Sequence, residues 1–477
     1  MNDKTYQSPF SNRYASEEMS HLFSPYYKYI TWRKLWIALA KGQKELGLPI
    51  TSEQIASMEA ALDKIDLSKA EEYEKKFRHD VMAHIHAFGD LCPNARGIIH
   101  LGATSCYVTD NGDLIQIKEA LKVVRNKIVF VLRHLHAFAT QNAHLATLSY
   151  THFQPAQPTT VGKRACLWLQ DFLIDLHEIE RMIETLRFLG VKGATGTQAS
   201  FVALFDGDST KAKELEERVC KQMGFTHLFS ISGQTYTRKQ DILVLNVLTG
   251  LAASAHKFAT DIRLLCHLKE IDEPFAEKQV GSSAMPYKRN PMRSERICGL
   301  ARFLLSLQEN PLYTEATQWL ERTLDDSSNR RLYLPEAFLT ADALLNLLCN
   351  VTKGLIVHPK VIEKHLNEEL PFLVTEHILM EAVKKGKDRQ VVHERLRHHS
   401  LEVGHRIKEE GLPNDLLHRI EKDPEIGLNA HEIKSLVSST HVIGRAEEQT
   451  HSFLNEEVFP VLHRYEHLQD HTPDISI

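Results

Sequence analysis

Apolar residues recur at Leu114, Ile117, Leu121, Val124, Ile128, Val131, Leu135 and Phe138, in alternating steps of three and four. Such steps bring side chains back to one face of a helix, so they predict one long helix with a single buried seam. The seam reappears at Ala165, Leu169, Phe172, Leu176, Ile179, Ile183 and Leu186, and again at Val244, Leu248, Leu251, Ala255, Phe258, Ile262 and Leu265. At 1.5 Å per residue, three helices of about 25 to 35 residues are ~40 to 50 Å long, more than an average globular helix. Seven-residue spacing kept over that length predicts helices lying nearly parallel in a bundle. No comparable strand alternation accompanies it. A further apolar helix is predicted over 331–351, and Asp110 stands where the N-cap of the first seam helix is expected. The first two seams are separated by a break from Ser149 to Pro158. Pro9, Pro25, Pro49 and Pro93 divide the first hundred residues into short helices, and after His358-Pro359 the chain turns more polar. The fold class is all-α, with an N-terminal helical domain over 1–110, a long-helix bundle domain over 111–357 and a C-terminal helical domain over 358–477.

Seams this extensive exceed what a monomer of 477 residues needs, and exposed apolar stripes of that length require partners. Lys plus Arg number 57 against 62 Asp plus Glu, a net charge of -5, which excludes a global basic field for nucleic acid. Any anion site must be a local cluster of cations. The seven cysteines, at 92, 106, 166, 220, 266, 298 and 349, are scattered and form no CxxC pair, the usage of a cytoplasmic protein with reduced thiols. The start MNDKTYQSPFSNRY has no apolar core of a targeting signal, and no stretch approaches eighteen uninterrupted apolar residues, so no membrane span is expected.

Four groups of residues carry candidate chemistry. Gly281 to Pro291, GSSAMPYKRNP, lies between two helical patterns as a polar, basic loop that could close over an anion. His152, in the break THFQPAQP, is the residue type suited to giving a proton to a leaving group at working pH. Thr104 and Ser105 place hydroxyls directly before a helix N-terminus, a ready anion site. Arg13-Tyr14, Arg78-His79-Asp80 and the run from Arg322 to Arg331 add more cations than a dicarboxylate needs, and a phosphate would account for the excess. Taken singly, these are a solvated loop, one surface histidine among 27, a capping turn and salt-bridged helix faces.

Their combination is more informative. SSxMPxKxNP, THxQPAQPT and GxTSxxxxDN resemble the signatures of the fumarase/aspartase superfamily, whose members eliminate fumarate from a substituted succinate. They occur in the superfamily's order, and the resemblance covers the central two thirds of the chain. Within it, the loop wording SSAMPYKRNPMRSE, the KGATGTQASF run at 192–201 and the arginine clusters are similar to the adenylosuccinate lyase family in its animal form. That resemblance implies Ser282 as general base, with Ser283 its rival, and His152 as general acid. The chemistry of such an elimination calls for cations and N–H groups at the carbanion's carboxylate, which Lys288 and the backbone around Gly281 to Ser283 could supply, and the resemblance implies that Glu295 orients an active-site histidine. It places a succinyl carboxylate at Thr104 and Ser105, and the nucleotide half at Arg13, Tyr14, Arg322, Ser327 and Arg331. Arg78, His79, Asp80 and Gln234 would line the same pocket, and Arg296 would support the carboxylates and loop. The implied reactions release fumarate from adenylosuccinate, leaving AMP, and from succinyl-aminoimidazole-carboxamide ribotide, leaving AICAR. The implied assembly is a homotetramer with 222 symmetry, each site drawing its three motifs from three subunits, with no cofactor, metal, nucleic acid or membrane.

Rival readings are specific. An argininosuccinate lyase would favour a QKKNP ending to the loop, and a fumarase or aspartase GKVNP. A metal enzyme would draw on His79, Asp80, His84 and His86, but no HExxH occurs; His393 to His398 is one residue too long. Gly190, Gly193 and Gly196 lack the preceding strand and the lysine of a phosphate loop. A non-catalytic helical assembly protein would keep the seams without the residues that perform elimination.

Overall fold

The computed structural model describes residues 5–275, 283–285, 287–437 and 442–469. The first seam is one 37-residue helix, Ser105–Gln141, in which Leu114, Ile117, Leu121, Val124, Ile128, Val131 and Leu135 are all buried. It begins five residues before the expected N-cap. Asp110 therefore lies inside the helix, 2% exposed, because Arg238 from another segment neutralises its carboxylate. The second and third seams form helices Val161–Thr185 and Lys239–His267, and the fourth apolar run forms Asp325–Lys353. These helices pack lengthwise, with Met292–Ser306 laid against the last two. Gly162 allows the closest approach: a Cβ there would sit 2.5 Å from the Ala139 carbonyl oxygen and 2.6 Å from the Ala143 Cα.

The break after the first helix is a β-hairpin. Strand β1, Ala146–Thr151, pairs antiparallel with β2, Gln154–Thr160, with Thr151 opposite Gln154. Pro155 and Pro158 argue against a strand, yet a two-stranded ribbon leaves outward N–H positions unpaired, so prolines fit there. A second small ribbon joins β3, Ile271–Asp272, to β4, Ile356–Val357.

One continuous hydrophobic core runs from Phe10 through the long helices to Ile362, and Leu454, Val458 and Val461 near the C-terminus return to it. A second, smaller core is built from Leu370 to Val442. Helices Lys239–His267 and Asp325–Lys353 are long and apolar enough to cross a membrane by length and composition, but both contribute to the bundle's core, the second mostly buried and the first about half. On the bundle's outside, Leu167, Ile174, Leu243 and Leu264 remain exposed.

Candidate active site

The first turn of the 37-residue helix opens onto a cavity of about 820 Å³. The residues singled out from the sequence reach its wall from four places in the chain: Arg78, His79 and Asp80; Ser105; Gln234; and Arg322, Ser327 and Arg331. Each is fixed by local structure. Arg78 ends helix Leu67–Phe77 in a left-handed conformation (φ 55°), which turns the chain so that His79 can cap helix Asp80–Leu91. His79 Nδ1 accepts from the Met82 N–H at 3.3 Å. Its Nε2 faces the Ser105 hydroxyl at 3.4 Å. Asp80 accepts from Arg331 at 3.2 Å. The Gln234 amide donates to the Ala194 carbonyl at 3.0 Å, and its oxygen receives the Cys106 thiol at 3.4 Å. Ser327 lies in the first turn of helix Asp325–Lys353, so a second helix N-terminus faces the cavity. Pro335 inside that helix also borders the cavity and leaves the Arg331 carbonyl without its helical donor.

Beneath the cavity lies a buried ion network absent from the sequence reading. Arg238, 1% exposed, donates from Nε to Asp326 at 2.8 Å and from Nη1 to Asp110 at 2.9 Å. Asp326 spends its other oxygen on Arg322, 2.7 Å away. Arg330 donates to Asp241 at 2.7 Å and to Asp113 at 2.8 Å, while Tyr236 and Tyr333 donate to Asp241 at 2.6 and 2.8 Å. Burial pushes the Asp326 and Asp241 carboxyls up, but the flanking arginines outweigh it and hold both below the usual carboxylate range. Both carboxylates thus stay ionised and fix the guanidinium groups. Lys28 also lines the cavity, its ammonium 5.0 Å from the Trp32 ring centre. One signal for this network was readable: Asp110 and Asp113 are acidic positions three apart, directly before the apolar seam of their helix begins at Leu114.

The remaining candidates stand elsewhere. Thr104 occupies the N-cap position of the long helix, without a capping bond from its hydroxyl. Arg13, Tyr14 and Arg296 gather beside helix Met292–Ser306, with the two guanidinium carbons 5.8 and 5.5 Å from the Tyr14 ring centre. Lys288 and Glu295 are exposed, and among the described residues no histidine pairs with Glu295. Gly281 and Ser282 lie outside the described residues; Ser283 is exposed. The loop's exit is anchored by Glu273, another residue the sequence reading missed. Its buried carboxylate accepts from the Arg293 and Ser294 N–H groups at 2.9 Å each, capping the helix that follows.

His152 occupies the tip of the β-hairpin. It and Phe153 both adopt left-handed backbone, with φ of 52° and 58°, the geometry of a two-residue hairpin turn. Neither residue has the short polar side chain that usually relieves this conformation, so the tip is strained. The hairpin leaves from the far end of the 37-residue helix whose near end opens on the cavity. That helix is about 55 Å long and a six-residue strand about 20 Å, so even a folded-back tip stays ~35 Å from the cavity of its own chain.

The rival metal set is pulled apart. His84 stacks on Tyr29 with ring centres 3.6 Å apart, and burial, reinforced by Lys28 and Arg33, pushes its pKa down to about 4. His86 stacks on Phe77 at 4.6 Å and meets Arg96 at 2.8 Å. Among the described residues no three His, Cys, Asp or Glu side chains converge to hold a metal ion.

Residues 15–303 match a family model described as lyase, and residues 371–453 match one described as adenylosuccinate lyase C-terminus. The adenylosuccinate lyase of Saccharomyces cerevisiae is 50% identical over 99% of both chains, and that of Schistosoma mansoni 50% over 96% of both. The chain belongs to the adenylosuccinate lyase family. The resemblance seen in the motifs thus extends along nearly the whole chain, and the rival of a non-catalytic assembly protein gives way to an enzyme of the lyase class. An archaeal member of the family, from Pyrococcus abyssi, is 32% identical over 94% of this chain and 97% of its own. The fold itself is shared more widely. The crystal structure of 3-carboxy-cis,cis-muconate lactonizing enzyme from Pseudomonas putida superposes with a TM-score of 0.83 over 96% of this chain and 99% of its own, at 22% identity.

Proposed function

We propose that the cavity binds the nucleotide half of adenylosuccinate and that the chain releases fumarate from it, leaving AMP. On the same reading it releases fumarate from succinyl-aminoimidazole-carboxamide ribotide, leaving AICAR, so that one site serves two steps of purine biosynthesis. The observation that carries this is the cationic wall itself. Arg322 and Arg331 present planar forks beside two helix N-termini, a donor set suited to a phosphate.

The chemistry follows from what elimination requires. Ser282, acting as base in its deprotonated form, takes the proton from the carbon next to a succinyl carboxylate and is left as the neutral hydroxyl. The electron pair left behind spreads into that carboxylate, where Lys288 and backbone N–H groups of the loop stabilise it. The carbon–nitrogen bond then breaks as the pair forms the fumarate double bond, and His152 protonates the departing nitrogen. Glu295 keeps an active-site histidine in its working orientation. Ser105 and Thr104 hold the second carboxylate at the helix N-terminus, and Arg13, Tyr14 and Arg296 complete the site from beside the loop. No cofactor or metal enters any step.

His152 stands too far from its own cavity to serve it, so the tip must reach a cavity on another copy. We propose a homotetramer in which the long helices form the common core and each active site is shared between subunits. Exposed Leu167, Ile174, Leu243 and Leu264 support it, since apolar side chains on long helices gain from burial against a second copy. None of the seven cysteines is in a disulfide, which supports a reduced, cytoplasmic setting.

The test is incubation with adenylosuccinate, argininosuccinate and malate separately, without added metal, following fumarate. Fumarate and AMP from adenylosuccinate alone, abolished by Ser282→Ala, is the expected result. Fumarate only from another substrate overturns the nucleotide assignment.

A further inference from the structure

His152 has no hydrogen-bond partner of its own among the described residues, so its position depends on what holds the hairpin. The hairpin's base rests on a buried cluster outside the cavity. Glu270, 1% exposed, follows helix Lys239–His267 and pairs through Oε1 with His365 Nδ1 at 2.9 Å. Tyr150, two residues before His152 on β1, faces the same carboxylate; burial, reinforced by Glu270, pushes its pKa up to about 12. Arg164, from the start of helix Val161–Thr185, lies beside Glu270 and donates to the Leu148 carbonyl on β1. Helix Pro359–Leu373, which carries His365, packs across both strands. Two further bonds link the same parts: His358 to Asp272 at 2.9 Å, and Gln157 on β2 to Glu376 at 2.9 Å. Glu270 thus ties together the end of one core helix, the start of another, the hairpin and the C-terminal helices.

We propose that the Glu270–His365 pair positions His152, and that the C-terminal helices serve catalysis by fixing where the hairpin tip stands. The inference rests on the reading of His152 as the general acid of a site in another subunit. A buried carboxylate is retained at a desolvation cost; here one oxygen pairs with His365, Tyr150 and Arg164 stand near the charge, and the second oxygen is left without a hydrogen-bond partner of its own. Glu270 and His365 touch no substrate; they act through the hairpin.

Glu270→Gln and His365→Leu test it, the second changing a half-buried side chain where misfolding is a smaller risk. The expected result for each is a kcat lower by about 10- to 100-fold with KM nearly unchanged, the signature of a misplaced reacting group. Subunit mixing gives the sharper readout. Glu270→Gln subunits supply a sound Ser282, so mixing with Ser282→Ala subunits restores activity, whereas mixing with His152→Ala subunits does not. Equal recovery with both partners, or a kcat within twofold of the parent for both variants, overturns the positioning role. The control is His152→Ala mixed with Ser282→Ala. Recovery there alongside equal recovery of Glu270→Gln sinks the positioning role alone, and no recovery in the control sinks the shared-site reading and this inference with it.

Discussion

Replacing Arg238 with methionine removes the guanidinium that neutralises two buried carboxylates while keeping most of the aliphatic volume. Asp326 retains Arg322 at 2.7 Å, but Asp110 is left with only the Tyr236 N–H at 3.1 Å. Both carboxylates are 2% exposed, so little water reaches them. Breaking a buried pair from one side costs about 3 to 5 kcal/mol, mostly the desolvation of the orphaned charge. If the orphaned charge is the cause, a second substitution, Asp110→Asn, relieves part of the loss. An amide oxygen still accepts from Tyr236, and we expect the double variant to recover about 2 kcal/mol relative to Arg238→Met alone. Urea unfolding followed by helical circular dichroism, at one fixed protein concentration, measures all four members of the cycle. KM for adenylosuccinate reports the second consequence. Asp326 that no longer shares its charge with Arg238 lets Arg322 shift, so on the proposed binding role of Arg322 KM rises in Arg238→Met while kcat is little changed. A stability loss below about 1 kcal/mol, or a double variant that loses the sum of the two single effects, refutes the reasoning.

Asp175 is buried between helices Val161–Thr185 and Lys239–His267, one oxygen without a partner, and burial, with Asp171 nearby, pushes its pKa up to about 7. The folded state then holds a proton that the unfolded chain releases near pH 4, so this group's contribution falls as pH rises from about 4 through 7. Asp175→Asn is expected to raise Tm at pH 8 more than at pH 5; a uniform shift contradicts the assignment. His100 accepts the Trp36 indole N–H at 2.9 Å, and burial holds its pKa down at about 4. The unfolded chain takes up this proton below pH 6.5, so stability is lost as pH falls from 6.5 toward 4. His100→Gln keeps the acceptor and removes the titration, so its Tm loses less between pH 7 and 5 than the parent's. Gly162→Ala drives a methyl into the Ala139 carbonyl and should cost about 1 to 3 kcal/mol, read as a lower urea midpoint; no change would show that the two helices can separate there. Activity is expected to be unchanged in a strong chelator, and loss that added zinc restores would return the metal reading.

By itself the sequence determined the helices, the lyase class and the candidate residues. Seams of three-and-four spacing dictate long helices because burial of one face is a local, periodic demand. SSAMPYKRNP, THFQPAQPT and the arginine clusters gave the candidate residues, since reactive groups are held in short contiguous runs. Only the tertiary structure decided which runs meet. It joined Arg78, His79, Ser105, Gln234 and the 322–331 segment around one cavity, from positions more than 200 residues apart. It placed Asp110 inside a helix, because a guanidinium 128 residues away makes a buried carboxylate tolerable there. It turned the His152 segment into a hairpin, since strand pairing depends on a partner strand rather than on periodicity within one run. And it set that hairpin off the far end of the helix that opens on the cavity, a separation fixed by helix length, which no pattern within either run records.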